Sequence, residues 1–89
     1  VAQSTDDILS SVTVLRLAAV QFQLGQFDPA LESLKLVKDE AWNGAKNMLI
    51  GDIQLAKGDK DAAKSAYQQA QQNATPLELQ LIQVRLNNL

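Results

Sequence analysis

Apolar residues recur along this chain at helical spacing, and the pattern predicts five helices and no strand, at about 5 to 24, 29 to 38, 40 to 57, 61 to 73 and 76 to 88. The first of these is unusual. Val12, Val14, Leu15, Leu17, Ala18, Ala19, Val20, Phe22 and Leu24 make it apolar almost all round, whereas a helix at a protein surface carries one apolar stripe. A neighbour is therefore expected against it, either upstream helices of a longer chain or a second copy. The last helix carries two stripes: Leu79, Ile82, Leu86 and Leu89 form one, and Leu77, Leu81 and Val84 the other. One stripe suffices for docking, so the second is a candidate contact surface or part of a broad core face. Helix starts are marked by Asp28 before Pro29 and by a capping box in Thr75-Pro76-Leu77-Glu78. Ser4 with Asp7 offers a further box, and Asp39 and Asp61 are candidate caps for the third and fourth helices.

The breakers repeat. Leu24-Gly25-Gln26-Phe27-Asp28-Pro29-Ala30 aligns with Lys57-Gly58-Asp59-Lys60-Asp61-Ala62-Ala63 at an offset of 33 residues, with Gly, Asp and Ala coinciding. Gln21 falls on Gln54, Leu17 on Ile50, Ala18 on Gly51, Leu34 on Tyr67 and Val37 on Ala70. Glycine relieves a left-handed turn, and the alanine five residues later lets the second helix approach the first closely. This period and these two residues resemble the tetratricopeptide helix pair. The ankyrin repeat has a similar length, but its Thr-Pro-Leu-His segment is missing. The expected fold is all-α: about two and a half tetratricopeptide-like hairpin repeats in a right-handed superhelical stack, forming one domain over 1–89. Repeat one spans about 11–43, repeat two about 44–76, and a terminal capping helix 76–89.

Composition narrows the chemistry. The chain has 89 residues, enough for one small domain, with 46% hydrophobic and 20% charged residues, so it is expected to fold. It contains neither Cys nor His, which removes the commonest metal ligands, thiol nucleophiles and the usual general base near neutral pH. No catalytic, metal or cofactor site is expected. The net charge is -2 and the eight Lys and Arg are scattered, which argues against nucleic acid as a partner. Arg16, Gln21 and Gln23 interrupt the longest apolar stretch, so nothing approaches the roughly 20 residues that cross a bilayer. The start at Val1 points to a piece of a longer product.

The close carboxylates, Asp39-Glu40 and Asp59/Asp61, fall at turns, where capping explains them better than a hydrolytic pair. Asn73-Ala74-Thr75 fits a glycosylation sequon but runs directly into Pro76. Trp42 is placed in the first turn of the third helix, sealing one repeat against the next or anchoring a partner. Gln21 and Gln54 are expected to bond backbone across the repeat or to lie at its edge. In tetratricopeptide stacks the first helix of each pair lines a concave surface, and counting from the turn glycines places Val12, Leu15, Ala19, Phe22, Ala45, Met48, Asp52 and Leu55 there. That mostly apolar strip suits an apolar segment of another protein. Leu77, Leu81 and Val84 are the second candidate surface.

Several segments carry a more specific resemblance: Arg16-Leu17-Ala18-Ala19, Leu24-Gly25-Gln26-Phe27, Lys38-Asp39-Glu40-Ala41-Trp42, Gly51-Asp52, Lys57-Gly58-Asp59-Lys60, Thr75-Pro76 and Arg85-Leu86-Asn87-Asn88-Leu89. With them the chain resembles the C-terminal part of YfgM-type ancillary SecYEG translocon subunits of Gram-negative bacteria. The resemblance implies a soluble periplasmic segment of a protein anchored in the inner membrane by one helix absent from this sequence. It implies as partners translocon subunits, periplasmic chaperones and exported clients. The alternative is an architectural scaffold that self-assembles, through the first helix, or supports another envelope complex.

Overall fold

The computed structural model describes residues 11–37 and 40–89, and among these it contains five α-helices and no strand. They are α1 (Ser11–Gln23), α2 (Phe27–Leu34), α3 (Asn43–Ala56), α4 (Lys60–Gln71) and α5 (Pro76–Asn87), with a 3-10 turn at Glu40–Trp42 leading into α3. The expected box at Ser4 and Asp7, the start of the first helix and the expected cap Asp39 lie outside the described residues.

Two turns with the same hydrogen bonding fold the chain into hairpins. Gly25 and Gly58 adopt φ of 79° and 89°, a left-handed backbone that glycine enters without a Cβ clash. The Gly25 N–H donates to Phe22 O at 3.0 Å and the Gln26 N–H to Gln21 O at 2.8 Å. The Gly58 N–H donates to Leu55 O at 3.0 Å and the Asp59 N–H to Gln54 O at 2.9 Å. These paired bonds are Schellman motifs that satisfy the last carbonyls of α1 and α3 and reverse the chain. Hairpin one is thus α1–α2 and hairpin two α3–α4; α2 packs on α3, and α5 packs on both α4 and α3.

The Schellman geometry also explains where capping differs from expectation. It carries Gln26 and Asp59 into the N-cap positions, so α2 and α4 begin earlier than the expected 29 and 61. Asp59 caps α4 by accepting the Ala62 N–H at 3.0 Å, and Asp61 lies in the first turn instead. Asp28 likewise sits inside α2, where Lys57 Nζ reaches its carboxylate at 2.8 Å across the two hairpin turns. That bond, and then the charge of Lys57, hold the Asp28 carboxyl below its ordinary value. α2 stops at Leu34 rather than near residue 38, because Val37 turns in and is buried. Trp42 precedes α3 as its N-cap residue rather than lying in its first turn. The capping box at Thr75 is present: its hydroxyl accepts the Glu78 N–H, and Glu78 Oε1 accepts the Thr75 N–H.

Two apolar clusters hold the hairpins together. The first joins Val14, Ala18, Ala30, Leu34 and Val37 to Ile53 of α3; the second joins Ala63, Tyr67 and Ala70 of α4 to Ile82 of α5. Ala30 and Ala63, the small residues that follow the turns, are both fully buried. At the tightest contact in hairpin two, a Cβ built on Gly51 would lie 2.6 Å from Cδ1 of Tyr67, so only glycine seats the ring there. Their counterparts 33 residues earlier, Ala18 and Leu34, are both buried in the first cluster. Hairpin two therefore swaps a larger residue on α4 against a smaller one on α3.

This size exchange generates a stability test. Gly51→Ala is expected to cost about 1–3 kcal/mol by overpacking. Gly51→Ala with Tyr67→Leu, which restores the pairing of hairpin one, should lose less than the sum of the two single variants by at least about 0.5 kcal/mol. Ala30→Leu and Ala63→Leu should each cost about 1–3 kcal/mol for the same reason. Urea unfolding followed by circular dichroism measures all of these, and strict additivity of the first pair would refute the exchange.

Candidate functional site

The odd-numbered helices present three faces, and the 33-residue register identifies them. On α3, Gly44, Met48 and Gly51 face the hairpin mate and its exit loop: Gly51 is under Tyr67, Met48 packs on the second cluster, and a Cβ on Gly44 would lie 2.9 Å from Asn73 O. Leu49, Ile50 and Ile53 face hairpin one, packing in its cluster. Asp52 faces α5, where Arg85 Nε donates to its Oδ1 at 2.8 Å.

The eight residues expected along the concave strip are four register positions taken twice, and the structure distributes them over two faces. Leu15, Phe22 and Met48 face inward, with Leu15 and Phe22 packed on the first cluster and Met48 on the second. The Phe22 ring also meets Phe27 of α2 at 6.0 Å between centroids. Leu55, at the Phe22 register, is exposed. Val12 and Ala45 share one register position and Ala19 and Asp52 another, of which Asp52 meets Arg85 of α5; Val12 is exposed and Ala19 and Ala45 are half-buried. Met48 packs on the second cluster and Arg85 of α5 reaches Asp52, so what stays accessible of the strip is Val12, Leu55 and, in part, the two alanines. No pocket is enclosed among the described residues.

At that occupied end sits a polar network whose joint role was not foreseen. The Tyr67 hydroxyl donates to Asp52 Oδ1 at 2.5 Å, and Arg85 joins the same oxygen and also donates from Nη1 to Leu81 O at 3.3 Å. A tyrosine, an aspartate and an arginine at 67, 52 and 85 share no local spacing, so only tertiary contact unites them. Burial, and then the hydrogen bond to the Asp52 carboxylate, push the Tyr67 phenol well above its ordinary value. In hairpin one the bond between helices is different: the Ser33 hydroxyl donates to Gln21 Oε1 at 2.7 Å, a side-chain partner rather than the expected backbone one. The register counterpart of Ser33 is Ala66, so Gln54 has no matching hydroxyl to accept.

Two apolar faces remain open. Leu17 and Val20 on α1 and Leu24 in the turn after it are exposed, and so are Leu77 at 67%, Leu81 at 41% and Val84 at 58% on α5. The other stripe of α5 faces inward, with Ile82 fully buried and Leu86 and Leu89 packed on the second cluster, although Leu79 stays exposed. Trp42 is 37% exposed and belongs to neither cluster. Among the described residues no helix is long and apolar enough to cross a membrane, and no group of acidic residues could hold a metal ion.

Paired helices, glycine turns and an odd helix packed on the preceding hairpin agree with the family model for a tetratricopeptide repeat-like domain, which matches residues 1–89. The chain belongs to this family. It is 78% identical over 88 residues to an ancillary SecYEG translocon subunit of Aggregatibacter actinomycetemcomitans, covering 99% of this chain and 43% of that protein. Proteins of the same name from Haemophilus influenzae and Escherichia coli K12 are 56% and 40% identical, with 98% and 99% of this chain and 43% of each relative covered. The chain therefore spans less than half the length of these curated relatives. Their shared name is the one to which the Asp-Glu-Ala-Trp segment and the Asn-Asn-Leu tail pointed. No solved structure matches the chain.

Within the tetratricopeptide repeat-like framework, the inward-facing members of the strip are expected to behave as core. Phe22→Ser and Met48→Ser should each destabilise by about 1–3 kcal/mol, whereas Val12→Ser and Leu55→Ser should stay within about 0.5 kcal/mol of wild type. Denaturant midpoints decide this. The Tyr67 phenol adds a pH dependence. Because the folded state holds that proton more tightly, its stabilisation is whole below the unfolded value of about 10 and is lost as pH rises through the folded value. The melting temperature of wild type should thus fall more steeply above pH ~10 than that of Tyr67→Phe, and parallel curves would remove the effect.

Proposed function

We propose that this chain is a non-enzymatic protein-interaction module of an ancillary SecYEG translocon subunit. It works on the periplasmic side of the inner membrane, in a protein anchored by a helix elsewhere in the full-length chain. Its partners are translocon subunits, periplasmic chaperones and exported clients. The observation that carries this reading is the near-complete coverage of the chain by relatives of that name. The physical support is an all-helical scaffold with exposed apolar side chains, and such patches mark interaction sites. The strip entered through Val12, Ala19, Ala45 and Leu55 is the proposed contact for an apolar segment, running beside the core residues Leu15, Phe22 and Met48 and the anchored Asp52. This segment makes no direct membrane contact.

One observation favours a second, architectural reading. Leu17 and Val20 of α1 occupy the register of Ile50 and Ile53 of α3, which are the residues that seat hairpin two on hairpin one. Their exposure on α1 supplies a face onto which a further hairpin or a second copy would stack.

Affinity isolation of the full-length protein from solubilised membranes tests the first reading. SecYEG should co-purify with wild type, and its absence would remove the translocon role. Val12→Asp with Leu55→Asp should lower the co-purified translocon or chaperone several-fold at unchanged helicity; full retention would move the contact off this strip.

A further inference from the structure

The exposed stripe on α5 has counterparts whose covering is visible. Leu77, Leu81 and Val84 stand at the register of Gly44, Met48 and Gly51 on α3 and of Ser11, Leu15 and Ala18 on α1. On α3 those positions lie beneath the hairpin mate α4 and its exit loop, with Tyr67 on Gly51 and Asn73 O beside Gly44. On α1, Leu15 and Ala18 pack in the cluster shared with α2. α5 is docked by its other side, through Ile82, Leu86 and Leu89, and among the described residues it has no mate. Its open face is therefore the one that receives a helix in each preceding hairpin.

We propose that this face binds an amphipathic helix of a partner protein, laid along α5 in the position that a hairpin mate would take. Side-chain size argues for a partner rather than for a following segment of the same chain. Both built-in mates rest on a small residue, Ala18 or Gly51, which permits close approach; α5 carries Val84 there and Leu77 where glycine or serine stands in the hairpins. Projecting Leu, Leu and Val at spacings of four and three are the ridge into which a docking helix interdigitates. The incoming helix should present a small residue such as Ala opposite Val84, with Leu or Ile on either side. The same size argument excludes a second copy: this face carries Leu77, Leu81 and Val84 with no small residue among them, so two such faces cannot give each other the small side chain that Val84 needs opposite it. The flanks fit a neutral edge on one side, Gln80, Gln83 and Asn87, because Arg85 is drawn toward Asp52 on the other. This surface is separate from the strip on α1 and α3, and the inference stands or falls apart from the translocon reading.

The probe is a fluorescein-labelled synthetic helical peptide of about four turns with Leu at i and i+7 and Ala at i+4, titrated against the full-length protein by anisotropy. Leu81→Asp should weaken binding at least about tenfold with an unchanged melting curve, while a change at exposed Lys64 of α4, Lys64→Ala, should bind as wild type. Equal binding by wild type and Leu81→Asp, or none by either, would overturn the proposal. In parallel, a benzophenone residue at position 81 of the full-length protein in its native membrane should crosslink a segment of another polypeptide with this same pattern, mapped by mass spectrometry. Crosslinks confined to the same chain, to an identical copy, or no more frequent than from exposed Lys64 would each overturn it.

Discussion

The seating of Tyr67 against Gly51 is the contact on which the second half of the molecule depends. The ring closes hairpin two only because α3 lacks a Cβ at that point. The same side chain then belongs to the cluster that receives Ile82 of α5. Its hydroxyl meets Asp52, which in turn holds Arg85. Packing, helix docking and the polar network thus converge on one residue, and truncating it would both open a cavity and leave Asp52 with one partner fewer.

Hairpin one reaches the same architecture with other chemistry. Ala18 and Leu34 replace the glycine and tyrosine, and the Ser33 to Gln21 bond links α1 and α2 where hairpin two has the Tyr67 to Asp52 bond. What the hairpins share is backbone: equivalent Schellman bonds at glycines of positive φ. The two hairpins keep the same turn while exchanging side-chain volumes between their helices. It also makes register informative, because the environment of a residue in one unit states what its counterpart in another unit lacks among the described residues.

Exposed apolar side chains gather at the edges of the described helices for that reason. Within the stack each odd helix is covered by its mate on one side and by the preceding hairpin on another. Among the described residues α1 lacks the second covering and α5 the first, and the exposed Leu17 and Val20 of α1 and Leu77, Leu81 and Val84 of α5 lie at those positions. Exposed Leu and Val on a small domain cost solubility, so covering them in a complex returns hydrophobic free energy that the isolated domain forgoes.

The sequence by itself determined that there are helices here, the two turns and the capping box at Thr75, since these depend on residues within about one helical turn of each other, and it showed the 33-residue period because the turn motif recurs. It misassigned the caps of α2 and α4, because the Schellman turn consumes Gln26 and Asp59 and moves the start of each helix. It grouped Leu15, Phe22 and Met48 with Val12 and Ala45 as one strip, because turn-counting gives position along a helix and not which neighbour arrives from the side. The sorting of those residues into covered and open faces, the meeting of Tyr67, Asp52 and Arg85, and the exposure of Leu77, Leu81 and Val84 were decided only by the tertiary structure, where helix crossings bring together residues that share no local spacing.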